Sequence, residues 1–174
     1  MKTSEINIRD PFVLAYKGTY YLYGTRAKYT WQAPEDLKKL GFDVYISKDL
    51  ENWQQKEVFS WYPDFWSDEK FWAPEVHVYQ GKFYMFATFG SKTTGVCKGT
   101  QILVANCPKD RLMYIVQSLL HHLLGNVWMV LFMWKMVSPI WFFVMNGNKL
   151  GLGRFVQLNY LMICPKLFLS QSLY

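Results

Sequence analysis

A chain of 174 residues, half of it hydrophobic, is long enough for one domain with a core of its own. Its net charge of +6 does not describe a basic surface for nucleic acid or membrane: residues 1–109 hold 14 Lys+Arg against 12 Asp+Glu, and residues 110–174 hold five against one, so most of the excess comes from a segment that lacks acids. Three cysteines, Cys97, Cys107 and Cys164, have neither disulfide-framework nor metal-ligand spacing, and a reducing compartment is expected.

Met1-Lys2-Thr3-Ser4-Glu5 carries no apolar stretch, so no secretory signal is read there and a cytoplasmic location is expected. The first patterned stretch is Ile8 to Thr25, IRDPFVLAYKGTYYLYGT. Pro11 fixes its own φ and biases Asp10 towards an extended conformation. Val13, Ala15, Tyr20 and Leu22 alternate with other residues on either side of Lys17-Gly18, a hairpin turn signal. Asp10 thus stands at the start of a strand, where a carboxylate can point into a cleft while the strand holds it still. A lone Asp would otherwise be a solvated or capping residue.

Residues 26–41 read as an insertion, with a short helix expected between Ala33 and Gly41: Pro34 lies early in it and Gly41 at its end. Trp31 and Tyr29 in this insertion are loop aromatics that contact a ligand or else pack. Phe42 to Ser47 alternates as a strand, and Lys48-Asp49-Leu50-Glu51-Asn52-Trp53 makes a polar turn. Residues 59–71, FSWYPDFWSDEKF, form a loop dense in aromatics, which stack on sugar faces or pack beneath the loop.

Pro74 to Thr88, PEVHVYQGKFYMFAT, then repeats Pro11 to Thr25 without a gap at an offset of 63 residues: Pro11 matches Pro74, Gly18 matches Gly81, Thr25 matches Thr88. A period of this size with a hairpin in each unit points to propeller blades or another β-repeat. His77, between Val76 and Val78, is expected to be packed, because no second histidine or cysteine stands at metal spacing. The Gly/Thr/Ser-rich residues 90–100 lack the Gly-Lys-Ser/Thr ending of a phosphate-binding loop. Gly99 to Ala105 alternates as the next strand.

Three motifs carry a resemblance to a known family. Arg9-Asp10-Pro11-Phe12, Ser47-Lys48-Asp49-Leu50-Glu51-Asn52-Trp53 and Trp72-Ala73-Pro74-Glu75-Val76, in this order, resemble glycoside hydrolase family 43 from Ile8 to about Lys109. The resemblance implies a five-bladed β-propeller that cleaves arabinose- and xylose-containing saccharides with inversion. At the observed period, five blades need about 315 residues. The expected fold is therefore all-β, the first two blades of such a propeller over 1–109. By the same resemblance Asp10 is the general base, assisted by a second Asp and by a Glu as general acid, neither found at a matching position in this reading frame. Trp72 is expected near the pocket, and the substrate-binding set is Trp72, Glu75, Trp31 and Phe89. Glu75 reads equally well as a pocket carboxylate or as a strand-end partner for a basic group. The implied partner is an oligosaccharide or polysaccharide, with no nucleic acid and no membrane. No cofactor is required and no metal ligand is assigned; a structural Ca ion in the full-length parent is compatible with relatives that hold a central cation.

After Lys109 the alternation stops, and six of the eight methionines follow. Val127 to Met145 is strongly apolar, but Lys135, Ser138 and Pro139 interrupt it, and it lacks the clean run of ~20 residues of a membrane helix. Nor does it carry the polar face of a soluble element. Codon arithmetic gives another account. Trp is only TGG and Met only ATG, so joining the last base of each codon to the first two of the next forces Asp at Trp128-Met129, Gly at Met129-Val130, Val at Met133-Trp134, Glu at Trp134-Lys135 and Gly at Met136-Val137. The permitted string D-G-T-L-Y-V-E-D-G-K-P-Y-M-V-F-C-H-E-W is a third copy of the blade hairpin. The expectation is a single-base frameshift at Lys109–Asp110, an out-of-frame tail over 110–174 with no native fold of its own, and an inactive chain. Two other classes compete: a non-catalytic sugar-binding β-repeat using Trp31, Trp61, Trp66 and Trp72, and a protein attached to a membrane through 127–145.

Overall fold

The computed structural model describes residues 1–114, 127–135 and 138–145. Among the described residues ten strands are present, β1 to β10: Ile8–Tyr16, Thr19–Arg26, Gly41–Ser47, Gln54–Ser60, Glu69–Tyr79, Lys82–Gly90, Gly99–Ala105, Met113–Tyr114, Val127–Lys135 and Ser138–Met145. The first four form one antiparallel meander and the next four a second, each in sequence order. This is the two-blade arrangement that the repeat predicts.

The backbone repeats as faithfully as the sequence. Lys17 and Gly18 turn the first hairpin at φ 47° and 66°, and Gln80 and Gly81 turn the second at φ 45° and 75°. Two successive left-handed residues match the twist of the flanking strands, which is why a glycine holds the second place. Each hairpin also carries a bulge near its open end, between Arg9 and Phe12 in β1 and between Trp72 and Glu75 in β5.

The polar turn between β3 and β4 is built by one carboxylate. Asp49 Oδ1 accepts the backbone N–H groups of Glu51 and Asn52 at 2.9 and 2.8 Å and the Ser47 hydroxyl at 2.9 Å, and Oδ2 accepts the Asn52 side-chain amide. These hydrogen bonds, the Asn52 amide first, hold the Asp49 carboxyl well below the usual range. Trp53 closes the turn, its indole N–H donating to Thr3 Oγ1 and to the Leu50 carbonyl.

The main core lies between the two sheets. Tyr23, Phe42, Val44, Val58 and Phe59 of the first sheet meet Val76, Met85, Phe89 and Leu103 of the second. Phe65 and Phe71, from the aromatic loop and the start of β5, fill the space between them. Phe71 and Phe89 pack edge to face at 4.9 Å, Phe59 and Phe65 at 5.1 Å, and Phe65 and Phe89 at 5.2 Å. Such pairs contribute about 0.5–1.5 kcal/mol each beyond the area they bury. The opposite face of the first sheet has its own small cluster, Leu22, Tyr45 and Trp53. So β3 is covered on both sides, and the alternation expected from Phe42 to Ser47 is replaced by near-continuous burial.

Two further expectations change. The helix expected between Ala33 and Gly41 is only a 3-10 turn, Leu37–Lys39, capped by the Asp36 carboxylate on the Lys38 N–H; Gly41 already opens β3. The second sheet also extends past Lys109. Its fourth strand is Met113–Tyr114, Leu112 is buried, and the Leu112 N–H donates to the Val58 carbonyl at 2.7 Å.

Within 110–174, where no native fold is expected, β9 and β10 form an antiparallel pair with Lys135 opposite Ser138, and β9 lies against β6 and β7. Residues 115–126, 136–137 and 146–174 lie outside the described ones. No helix among the described residues is long and apolar enough to cross a membrane.

Candidate active site

Asp10 sits in the bulge of β1. Arg9 pairs with Thr25 and Phe12 with Tyr23, so Asp10 and Pro11 together oppose Gly24. The extra residue bends the strand and throws Asp10 into a left-handed conformation, φ 49°. This differs from the extended conformation that Pro11 favours, and a non-glycine residue at such an angle costs about 1–3 kcal/mol. Gly24 makes the bulge sterically feasible: a Cβ there would lie 2.7 Å from Ile8 Cδ1 and 2.9 Å from the Arg9 carbonyl oxygen. Asp10 is exposed, whereas Gly24 and Thr25 on the strand opposite it are buried.

Thr25, across the hairpin, donates from Oγ1 to Asp10 Oδ2 at 3.0 Å. The same oxygen accepts the Ala73 N–H of the second sheet at 2.8 Å. Ala73 stands 63 residues after Asp10 and repeats its left-handed geometry, φ 46°. The two bulges therefore meet at one point, the first presenting a carboxylate and the second a backbone N–H.

The aromatic expectations divide. Trp72 places its indole N–H on the Thr30 carbonyl at 2.8 Å, which ties β5 to the insertion. Trp31 stands edge-on to Trp72 at 5.8 Å and is 77% exposed. The Arg9 guanidinium lies 5.0 Å over Trp31, so this indole pair flanks the residue next to Asp10; Lys98 Nζ lies 5.3 Å over Trp72. Trp31, Trp72 and Asp10 are thus brought together.

Phe89 is a correction. It is fully buried among Phe42, Phe65 and Phe71, because β6 is the second strand of its sheet and is covered on both faces, and it has no surface to offer a substrate. Trp66 packs against Phe65 and Phe89, with its indole N–H on Gln101 Oε1. Glu75 takes the role of a strand partner: its Oε2 lies 3.4 Å from His77 Nε2. His77 is packed as expected, edge-on to Phe12 at 5.3 Å and to Phe86 at 6.0 Å. Among the described residues no three His, Cys, Asp or Glu side chains gather to hold a metal ion.

Thr25 and Arg26 were not marked by sequence reasoning as site residues. Thr25 had one signal, its place in the repeat opposite Thr88. Arg26 forks onto Asp43, Nε to Oδ2 at 2.9 Å and Nη2 to Oδ1 at 2.7 Å, and Nη2 also reaches Glu57 at 2.8 Å. It joins β2, β3 and β4 directly after Thr25.

Residues 3–124 match the model of glycosyl hydrolases family 43. The chain belongs to that family. Among solved structures, the endo-arabinase of Bacteroides thetaiotaomicron VPI-5482 is 31% identical with a TM-score of 0.65, covering 83% of this chain and 48% of that one. A thermostable family-43 glycoside hydrolase is 26% identical with a TM-score of 0.61, covering 83% and 45%. An exo-beta-1,3-galactanase from Phanerochaete chrysosporium, 15% identical with a TM-score of 0.68 over 91% and 37%, shares the fold. The family-43 chain thus spans about half or less of the length of these relatives. A search of curated proteins finds no match. Its two meanders are the first two blades of the family-43 propeller, and the family to which it belongs is one of glycoside hydrolases.

Proposed function

We propose that the chain is the N-terminal part of an inverting glycosidase acting on arabinose- or xylose-containing saccharides, with Asp10 as general base. The observation that carries this reading is the exposed Asp10 carboxylate on the β1 bulge, held through Oδ2 by the buried Thr25, with Trp31 beneath the adjacent Arg9 and Trp72 against Trp31. The other oxygen, Oδ1, accepts no hydrogen bond among the described residues and can take a proton from a water that attacks the anomeric carbon. Indole faces suit the apolar faces of pentose rings. Inversion needs an acid carboxyl ~6.5–9.5 Å from the base, leaving room for that water. Glu75 is engaged by His77. We therefore assign the acid to later blades and expect the 174-residue chain to be inactive.

Action on arabinose-containing saccharides is supported by the 31% identity to an endo-arabinase. Analysis of the first-formed product of a full-length, frame-restored enzyme tests it: arabinan or xylo-oligosaccharide should be cleaved with inverted anomeric configuration. A retained configuration would contradict the reading, and sugar binding with no turnover would make the protein a non-catalytic sugar-binding β-repeat.

The frameshift belongs to the same proposal. A parent reading Pro-Lys-Gly-Pro-Phe where this chain has Pro108-Lys109-Asp110-Arg111-Leu112 would account for the junction. AAG GGA CCG TTT minus one G reads AAG GAC CGT TT, which is Lys-Asp-Arg-Leu once a base is added. Support comes from the tail itself. The shifted frame writes Asp or Asn and then Gly across the codons of Lys135 to Val137, and Lys135 and Ser138 are the facing ends of β9 and β10. The DNA of the locus tests this: the shifted frame should stay open from Lys109 through the hidden hairpin, and a stop codon within it would refute the account.

A further inference from the structure

The Thr25 side chain has a role that the family resemblance does not assign. It is 1% exposed, so water does not compete for its hydroxyl. That hydroxyl accepts the Ala73 N–H at 2.8 Å and has a single hydrogen of its own to give. Asp10 Oδ2, 3.0 Å away, receives it. An ionised carboxylate only accepts and a backbone N–H only donates, so the direction of the relay is fixed from Ala73 through Thr25 to Asp10. Each bond polarises the next.

The relay joins two blades. Asp10 and Thr25 belong to the first sheet and Ala73 to the second, and both ends of the relay rest on left-handed bulge residues. A carboxylate on a bulge has more than one rotamer open to it; holding Oδ2 selects one and leaves Oδ1 without a hydrogen bond among the described residues. We propose that Thr25 is the positioning residue of the base: its hydroxyl, anchored by the Ala73 amide, fixes the Asp10 rotamer and so the line along which Oδ1 meets the attacking water. This rests on the assignment of Asp10 as base.

The test has two parts. In the frame-restored protein, NMR couplings about χ1 of Asp10 should report one rotamer, averaged rotamers in Thr25→Val, and one rotamer again in Thr25→Ser. The Ala73 amide should exchange with solvent faster in Thr25→Val, while the amides of Leu22 and Tyr45 keep their rates. In the frame-restored enzyme, Thr25→Val should lower kcat about 10- to 100-fold, the order expected for a misplaced reacting group, with KM changed less than about threefold. Thr25→Ser should recover most of kcat.

A single Asp10 rotamer in Thr25→Val overturns the inference. So does wild-type kcat in Thr25→Val when Asp10→Asn is inactive, and this outcome leaves the base assignment standing. Equal losses of kcat and stability that Thr25→Ser does not repair would make Thr25 merely structural and also overturn it. Full activity of Asp10→Asn would remove the base assignment and the inference together.

Discussion

Individual carboxylates in this chain are held by hydrogen bonds more than by charge. Asp49 is fully exposed, yet the Asn52 amide, the Asn52 side chain, the Glu51 amide and the Ser47 hydroxyl lower its pKa. Asp68 is similar: burial opposes its charge, but the Thr93 hydroxyl and the Lys92 and Thr93 amides hold its carboxyl below the usual value and pin the loop that follows β6. A carboxyl with a lowered folded pKa favours the folded state above its unfolded value, about pH 4, and loses that contribution as pH falls through the folded value. Thermal unfolding followed between about pH 6 and pH 2 should therefore show Tm falling on the acid side, and Asp49→Ala should lower Tm at neutral pH and flatten the acid-side fall. Arg26 is the contrasting case of a charge held by charge. Its fork onto Asp43 is largely buried, with the two side chains 18% and 10% exposed. Arg26→Ala leaves Asp43 without its partner and should cost about 3 kcal/mol of stability, read from urea midpoints. Asp49 was legible in the sequence as part of a turn motif. The Arg26–Asp43–Glu57 cluster was not, because it depends on the register of three strands.

At the scale of elements, the hairpins were legible because each had three aligned signals: apolar alternation, a Lys-Gly or Gln-Gly turn and a repeat partner. The bulges were not. No sequence signal marks a non-glycine residue as left-handed, and Pro11 argues against it at Asp10. Gly24 is the residue that allows the bulge, and it should not tolerate a side chain. Gly24→Ala drives a Cβ onto Ile8 and the Arg9 backbone, and we expect a loss of stability of about 1–3 kcal/mol. In the frame-restored enzyme, activity should fall as well, since the same strain displaces Asp10. Differential scanning calorimetry together with the kcat of that variant checks both. Phe89 was misread for a related reason: a Phe near the end of a strand resembles a site residue until the sheet order shows that the strand is covered on both faces. The stretch from Ala33 to Gly41 had helix punctuation but only Leu37 and Leu40 to bury, less than a helix face needs, and only a 3-10 turn resulted.

For the whole molecule, the aromatic core between the blades explains why two repeats hold together, and open sheet edges explain what they lack. A propeller protects its edges by closing a ring. Two blades leave strands with unpaired N–H and C=O groups, which invite association with other chains. The 174-residue chain alone should therefore show a broad, weakly cooperative thermal transition and a tendency to aggregate, whereas the frame-restored protein should unfold cooperatively. A sharp, reversible transition of a soluble 174-residue monomer would count against this. The two-blade plan was legible because its period recurs at Gly18 and Gly81; the proposed third hairpin would emerge only when the codons of the tail are regrouped.

The most direct measurement is the turnover of the frame-restored, full-length enzyme and of its Asp10→Asn variant on arabinan. The account predicts cleavage by the former. The variant should lose at least ~10²–10⁴ in kcat, the range for general base catalysis, while sugar binding stays nearly intact. Near-normal turnover by Asp10→Asn would contradict it.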